Sequence, residues 1–123
     1  MAEIIVIDDE PALRATVRKI LERAGHTVRD ADNGEKGIRL HREHPADLVI
    51  TDLFMPDKEG IETIQELKES SPELPILAVS GGSKYFDASG PLSDAELLGA
   101  DGVLAKPFGV EELQRRVDEL LDG

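Results

Sequence analysis

The residues best suited to chemistry in this 123-residue chain stand where short apolar runs end. Leu48-Val49-Ile50 leads through Thr51 to a carboxylate at Asp52, and a Pro56-Asp57 turn follows. Ile4 to Ile7 leads to Asp8 and Asp9, Ile76 to Val79 leads to Ser80, and Val103 to Ala105 leads to Lys106. Three carboxylates brought into one pocket repel, so either one keeps its proton or a cation sits among them. Lys106 brings a single positive charge. A hard divalent cation with oxygen ligands complements the rest, and Mg2+ fits best, since it is typically held by one or two carboxylates together with water and phosphate. A nucleophilic carboxylate, a cation, an ammonium and a hydroxyl are the parts needed to transfer a phosphoryl group to an aspartate, here Asp52. Taken singly, each of these residues reads as a cap, a turn residue or a solvated lysine. The chemistry rests on their convergence.

That convergence requires a particular scaffold. Ile4–Ile7 and Asp47–Thr51 are unbroken apolar runs, too short for helices and suited to strands buried on both faces. Pro11 suits the first turn of a helix in which Leu13, Val17, Ile20, Leu21 and Ala24 recur at helical spacing, and Gly25 stops it. His26 to Ala31 is a weak, polar strand, which predicts a sheet edge, and Asn33-Gly34 predicts a turn before a short helix from Glu35 to His44. A helix from about Glu59 to Ser70 carries Ile61, Ile64 and Leu67, with Lys68 at the rim of that face. Strands at 76–79 and 103–105, a short helix ending at Gly99 and a last helix over Val110–Leu121 complete the pattern. Five alternations of strand and helix predict an α/β fold, a flavodoxin-like, doubly wound, five-stranded parallel sheet in the order 2-1-3-4-5 with five helices. In such a sheet the crevice lies beyond the carboxyl ends of the strands, where Asp8, Asp9, Asp52, Ser80 and Lys106 all fall.

Composition narrows the function classes. With no cysteine, disulfides, thiolate metal sites and cysteine catalysis are excluded. A net charge of −12 argues against a nucleic-acid surface. No run reaches membrane-spanning length and no leader pattern opens the chain, so a cytoplasmic protein folded as one domain over residues 1–123 is expected. His26, His41 and His44 fall away from the crevice and read as surface histidines.

The motifs Ile7-Asp8-Asp9-Glu10-Pro11, Asp52-Leu53-Phe54-Met55-Pro56, Ala78-Val79-Ser80-Gly81 and Leu104-Ala105-Lys106-Pro107-Phe108 together resemble the receiver domain of two-component response regulators, over essentially the whole chain. The resemblance implies a phosphorylation-dependent switch, not a turnover enzyme. Asp52 would accept a phosphoryl group from a sensor histidine kinase or a histidine phosphotransfer protein. Asp9 and Asp52, with the main-chain carbonyl of Phe54, would ligate Mg2+, and Asp8 would act through water. Lys106 would pair with phosphoryl oxygens, Ser80 would donate its hydroxyl to one, and the Lys106-Pro107 bond would be cis. A stand-alone receiver, acting by partner contact or as a phosphoryl shuttle, is expected if the chain is complete, and a receiver followed by an output domain if it is a piece of a longer protein. The output of a stand-alone receiver would be a noncovalent contact through the surface of the fourth helix, fifth strand and fifth helix, with phosphorylation-dependent dimerisation as a further expectation.

Two positions depart from the family pattern. Val103 stands where many receivers carry an aromatic residue, and the loop from Gly81 to Pro91 is long and holds Tyr85 and Phe86. That loop is expected either to report phosphorylation or simply to pack down. On the first helix, Arg14, Arg18, Lys19 and Arg23 form either a docking face for the phosphodonor or an ordinary solvated face. Among rival functions, a phosphatase of the haloacid dehalogenase type would need a second acid two residues beyond Asp52, where Phe54 stands. A flavin-binding module would need a glycine- and hydroxyl-rich loop after the first strand, where Asp8-Asp9-Glu10 would repel a phosphate. A receiver that has lost the chemistry and acts only by binding partners is the remaining alternative.

Overall fold

The computed structural model describes residues 2–53, 60–80 and 99–122. Its strands are β1 (Glu3–Ile7), β2 (Thr27–Ala31), β3 (Leu48–Asp52), β4 (Ile76–Ser80) and β5 (Gly102–Ala105). The helices among the described residues are α1 (Pro11–Arg23), α2 (Gly34–Glu43), α3 (Gly60–Ser70) and α4 (Val110–Asp122). The strands form one parallel sheet in the order β2-β1-β3-β4-β5, as the apolar patterning predicts. The short helix expected to end at Gly99 lies, but for Gly99 itself, outside the described residues, as do the predicted 81–91 loop and its Tyr85 and Phe86.

Strand alternation divides the core in two. Ile5, Ile7, Val49, Ile76 and Ala78 point to one face and pack with Ile38 of α2 and Ile64 and Leu67 of α3. Ile4, Val6, Leu48, Ile50, Leu77 and Val79 point to the other and pack with Val17 and Leu21 of α1 and Leu113 and Val117 of α4. Burial on both faces is why β1, β3 and β4 read as unbroken apolar runs. The register then sets the site: Ile7 pairs with Thr51, Asp52 with Val79, and Ser80 with Ala105, so the polar residues that follow these runs emerge at one level.

Local chemistry ends each element near where the sequence places it. Gly25 takes φ of 98°, a left-handed conformation that closes α1. Asn33 does more than turn the chain: its side chain accepts the Lys36 N–H at 2.8 Å, which makes it the N-cap of α2 and draws Gly34 into the helix. Lys68 is more than a rim residue. Its ammonium donates to the Leu74 carbonyl at 2.7 Å and pairs with Asp101 at 2.8 Å, and Asp101 in turn accepts the Ile76 N–H. The end of α3 is thereby tied to the starts of β4 and β5.

The histidines correct one expectation. His44 is exposed and pairs with Glu3 at 2.7 Å, and half-buried His26 accepts the Ala2 N–H. His41, by contrast, is only 6% exposed. It lies three residues after Ile38, on the same inner face of α2. Its Nδ1 accepts the Ala46 N–H at 3.1 Å, and its Nε2 lies 3.1 Å from the Ser71 hydroxyl. The ring is therefore a strut between α2, the approach to β3 and the turn after α3, in its neutral, Nε2-protonated form.

Burial, with the nearby Arg29 guanidinium, holds the His41 pKa below its usual value. The unfolded chain therefore takes up a proton here at a higher pH than the folded protein does. The contribution is intact above the unfolded value of about 6.5 and is lost as pH falls from there through the folded pKa. A His41→Gln variant, which does not titrate, should be about 1 kcal/mol less stable than the parent at pH 7.5. Urea unfolding at stepwise lower pH should show that gap narrowing; a gap that widens toward pH 5 would contradict this assignment.

Candidate functional site

Three strand ends build the site among the described side chains. β1 runs into Asp8 and Asp9, β3 ends on Asp52, and β5 runs into Lys106. Asp8 and Asp52 are each 5% exposed, whereas Asp9 is exposed. The Lys106 ammonium lies 3.1 Å from Asp52 Oδ2 and 3.2 Å from Asp8 Oδ2, with Glu10 Oε1 at 3.9 Å. Burial acts to lower the Lys106 pKa, but the carboxylates of Asp52 and Asp8 outweigh it and hold the ammonium above the ordinary lysine value. Lys106-Pro107 is a cis peptide, as the resemblance implies.

Asp8 is held at every polar atom. Its N–H donates to the Ala31 carbonyl at 3.1 Å, and its carbonyl accepts from Arg14 Nη1 at 2.8 Å. Its Oδ1 accepts the Glu10 N–H at 2.9 Å, and Oδ2 faces Lys106. Such pinning fixes the direction in which Asp9, the next residue, leaves the strand. Below Asp52, the fully buried Thr51 donates its hydroxyl to the Asp52 carbonyl at 3.1 Å. Gly60 opens α3 directly against that same carbonyl. A Cβ there would stand 2.0 Å from it and 2.6 Å from Leu53 Cα.

Carboxylate oxygens of Asp8, Asp9 and Asp52 all lie within 4.8 Å of one another. The Lys106 ammonium meets two of these carboxylates, Asp8 and Asp52, and the donors are all hard oxygens. That donor set fits a hard divalent cation. Of the other residues expected here, Ser80 closes β4 beside Ala105, and its side chain lies outside what is described, as does Phe54 with its carbonyl. Arg14, Thr51 and Gly60 were not foreseen as parts of the site. Arg14 carries a positional signal, since it stands one turn into the helix that follows the Asp8-Asp9 strand end. Thr51 and Gly60 carry none without the backbone path.

The model of the response regulator receiver domain family matches residues 4–118. The chain belongs to this family. Among curated relatives, this receiver is 38% identical over 117 residues to the KDP operon transcriptional regulatory protein KdpE of Escherichia coli, a match spanning 95% of the chain and 50% of that protein. It is 35% identical to the response regulator MprA of a Mycobacterium species, over 96% of the chain and 50% of that protein. The chain thus spans about half the length of the curated relatives it matches. Among solved structures, a putative response regulator from Chloroflexus aurantiacus superposes with a TM-score of 0.91 at 27% identity, covering 99% of this chain and 98% of that one. The receiver domain of NtrX from Brucella abortus superposes with a TM-score of 0.89 at 27% identity, covering 97% and 98%. Among the described residues of this receiver, no helix is long and apolar enough to cross a membrane.

Gly60 supplies a direct check on the backbone of the site. In Gly60→Ala the methyl group meets main chain, which cannot swing aside. Urea unfolding should show a loss at or above the upper end of the usual overpacking cost of about 1–3 kcal/mol. An unchanged midpoint would mean that α3 does not press on the Asp52 carbonyl.

Proposed function

We propose that residues 1–123 form one receiver domain acting as a phosphorylation switch, with Asp52 as the acceptor. The observation that carries this reading is the Lys106 ammonium set between Asp52 and Asp8, residues 54 and 98 positions away in the chain. A carboxylate oxygen of Asp52 attacks phosphorus and forms the new P–O bond. The P–N bond to the donor imidazole of a phosphohistidine breaks, and its electron pair returns to the ring nitrogen. Lys106 moves from carboxylate to phosphoryl oxygens, and the Ser80 hydroxyl donates to one of them. Asp9, Asp52 and the Phe54 carbonyl would hold Mg2+, with Asp8 acting through water, and the ion would supply positive charge against the phosphoryl oxygens.

The residue two beyond Asp52 is Phe54, which cannot transfer a proton. Hydrolysis of the acyl phosphate is therefore slow, which suits a regulatory domain over a phosphatase. The donor is a cytoplasmic sensor histidine kinase or a histidine phosphotransfer protein. Output runs through the surface around β5 and α4, to a partner protein or a second phosphorylated copy. Several matched relatives are named transcriptional regulatory proteins, which is consistent with a signalling role.

Incubation with acetyl phosphate and Mg2+, followed by intact mass measurement, tests the reading. One phosphoryl group should be gained, and none by Asp52→Asn or in the presence of chelator. Lys106→Met should slow uptake by about 10²-fold or more. Failure of the parent protein to take up a phosphoryl group would leave only a partner-binding receiver without the chemistry.

A further inference from the structure

We infer that Arg14 is a positioning residue for the cation site, acting through the main chain of Asp8 to set the direction of Asp9. The inference rests on the reading of the carboxylate cluster given above. Arg14 Nη1 donates to the Asp8 carbonyl at 2.8 Å, and its Nε lies 3.6 Å from Asp30 Oδ2. The side chain is only 20% exposed. One guanidinium fork therefore joins the peptide between Asp8 and Asp9 to the end of β2, where the neighbouring Ala31 carbonyl accepts the Asp8 N–H. The peptide on each side of Asp8 is clamped to a fixed element.

This clamp matters because of how the carboxylates are held. Asp8 and Asp52 are buried and share Lys106. Asp9 is exposed, and its direction follows from the peptide that Arg14 grips. The N-terminus of α1 has no side-chain cap and begins with Pro11, so the turn has few other restraints beyond the Asp8–Glu10 bond. A lysine could meet the carbonyl or the Asp30 carboxylate with its single nitrogen, but it lacks the planar fork that spans both. Arg18 reaches the same Asp30, at 3.6 Å, and its Nε donates to Glu22 at 3.1 Å.

The sign of the effect separates positioning from simple charge. Removing a cation from beside an acidic cluster should by electrostatics alone tighten divalent-ion binding. Loss of positioning should weaken it. Mg2+ titrations of the full chain, followed by the amide shifts of Asp9 and by calorimetry, should show Arg14→Gln and Arg14→Lys binding roughly 10- to 100-fold more weakly than the parent. Arg18→Gln should bind as tightly as the parent or slightly more so, and Asp30→Asn should show a smaller loss than Arg14→Gln. In acetyl phosphate assays the Mg2+ needed for half-maximal uptake should rise, while the rate at saturating Mg2+ stays within about two-fold.

Binding by Arg14→Gln that equals or exceeds the parent's would overturn the inference. So would retained affinity in Arg14→Lys, which decides the matter if Arg14→Gln does not fold. A parent protein that binds no Mg2+ would instead sink the underlying reading of the cluster, a result distinct from wild-type-like binding by the variants.

Discussion

The rest of the structure turns on one electrostatic conflict: parallel strands in tight register bring Asp8, Asp9 and Asp52 to one level, where their carboxylate oxygens lie within 4.8 Å. Two of the three are buried. Burial disfavours charge, and like charges disfavour one another, so this end of the sheet lowers the stability of the fold that creates it. The opposing term comes from the far side of the sheet. β5 contributes nothing else polar at this level, but Lys106 spans to both buried carboxylates and so joins strands that do not pair directly with its own. β3 and β4 lie between β1 and β5, so Lys106 and the two carboxylates meet by reaching toward one another beyond the strand ends.

A conflict of this kind needs a rigid frame, since charges that repel would otherwise move apart. The frame is apolar below and hydrogen-bonded around. Ile7 and Leu53, flanking the site, are buried in the same cluster, and Thr51 and Gly60 fix the Asp52 carbonyl from two sides. Gly37 shows the same closeness at β1: a Cβ there would meet the Ile7 side chain at 2.2 Å, so α2 rests against the residue that precedes Asp8. Close helix-to-strand approach at both acidic strand ends leaves the carboxylates little freedom to relieve their repulsion by backbone motion. Their relief has to come from added positive charge. This is a physical reason for such a cluster to accept a cation.

Much of this was legible in the sequence for identifiable reasons. Unbroken runs at Ile4–Ile7 and Leu48–Ile50 suit strands buried on both faces, as in a parallel sheet, and the polar strand around Arg29 and Asp30 suits an edge. The order 2-1-3-4-5 satisfies both, and it brings together residues as far apart as Asp8 and Lys106. Less legible were features that depend on three-dimensional packing and leave no periodic trace. His41 looks like a surface residue until α2 is docked with that face inward. Arg14 looks like part of a solvated basic stripe until its guanidinium meets a main-chain carbonyl. Asn33 looks like a turn residue because caps and turns use the same side-chain chemistry.

Lys106 is also where the charge conflict meets the opposite layer of the core. Two residues on, Phe108 packs with the cluster that contains Val17 and Leu21 of α1 and Leu113 and Val117 of α4. Val103 packs on the α2–α3 side, and its carbonyl accepts from Arg116 of α4 at 2.7 Å. β5 is therefore joined to α4 by the Arg116 side chain on a main-chain carbonyl at one end and by apolar packing just past Lys106 at the other. Continuity alone does not transmit a signal; an element with two arrangements of similar energy is required. Lys106 divides its charge between two acceptors, Asp8 and Asp52. A new anion at Asp52 would change that division by offering the ammonium further oxygens.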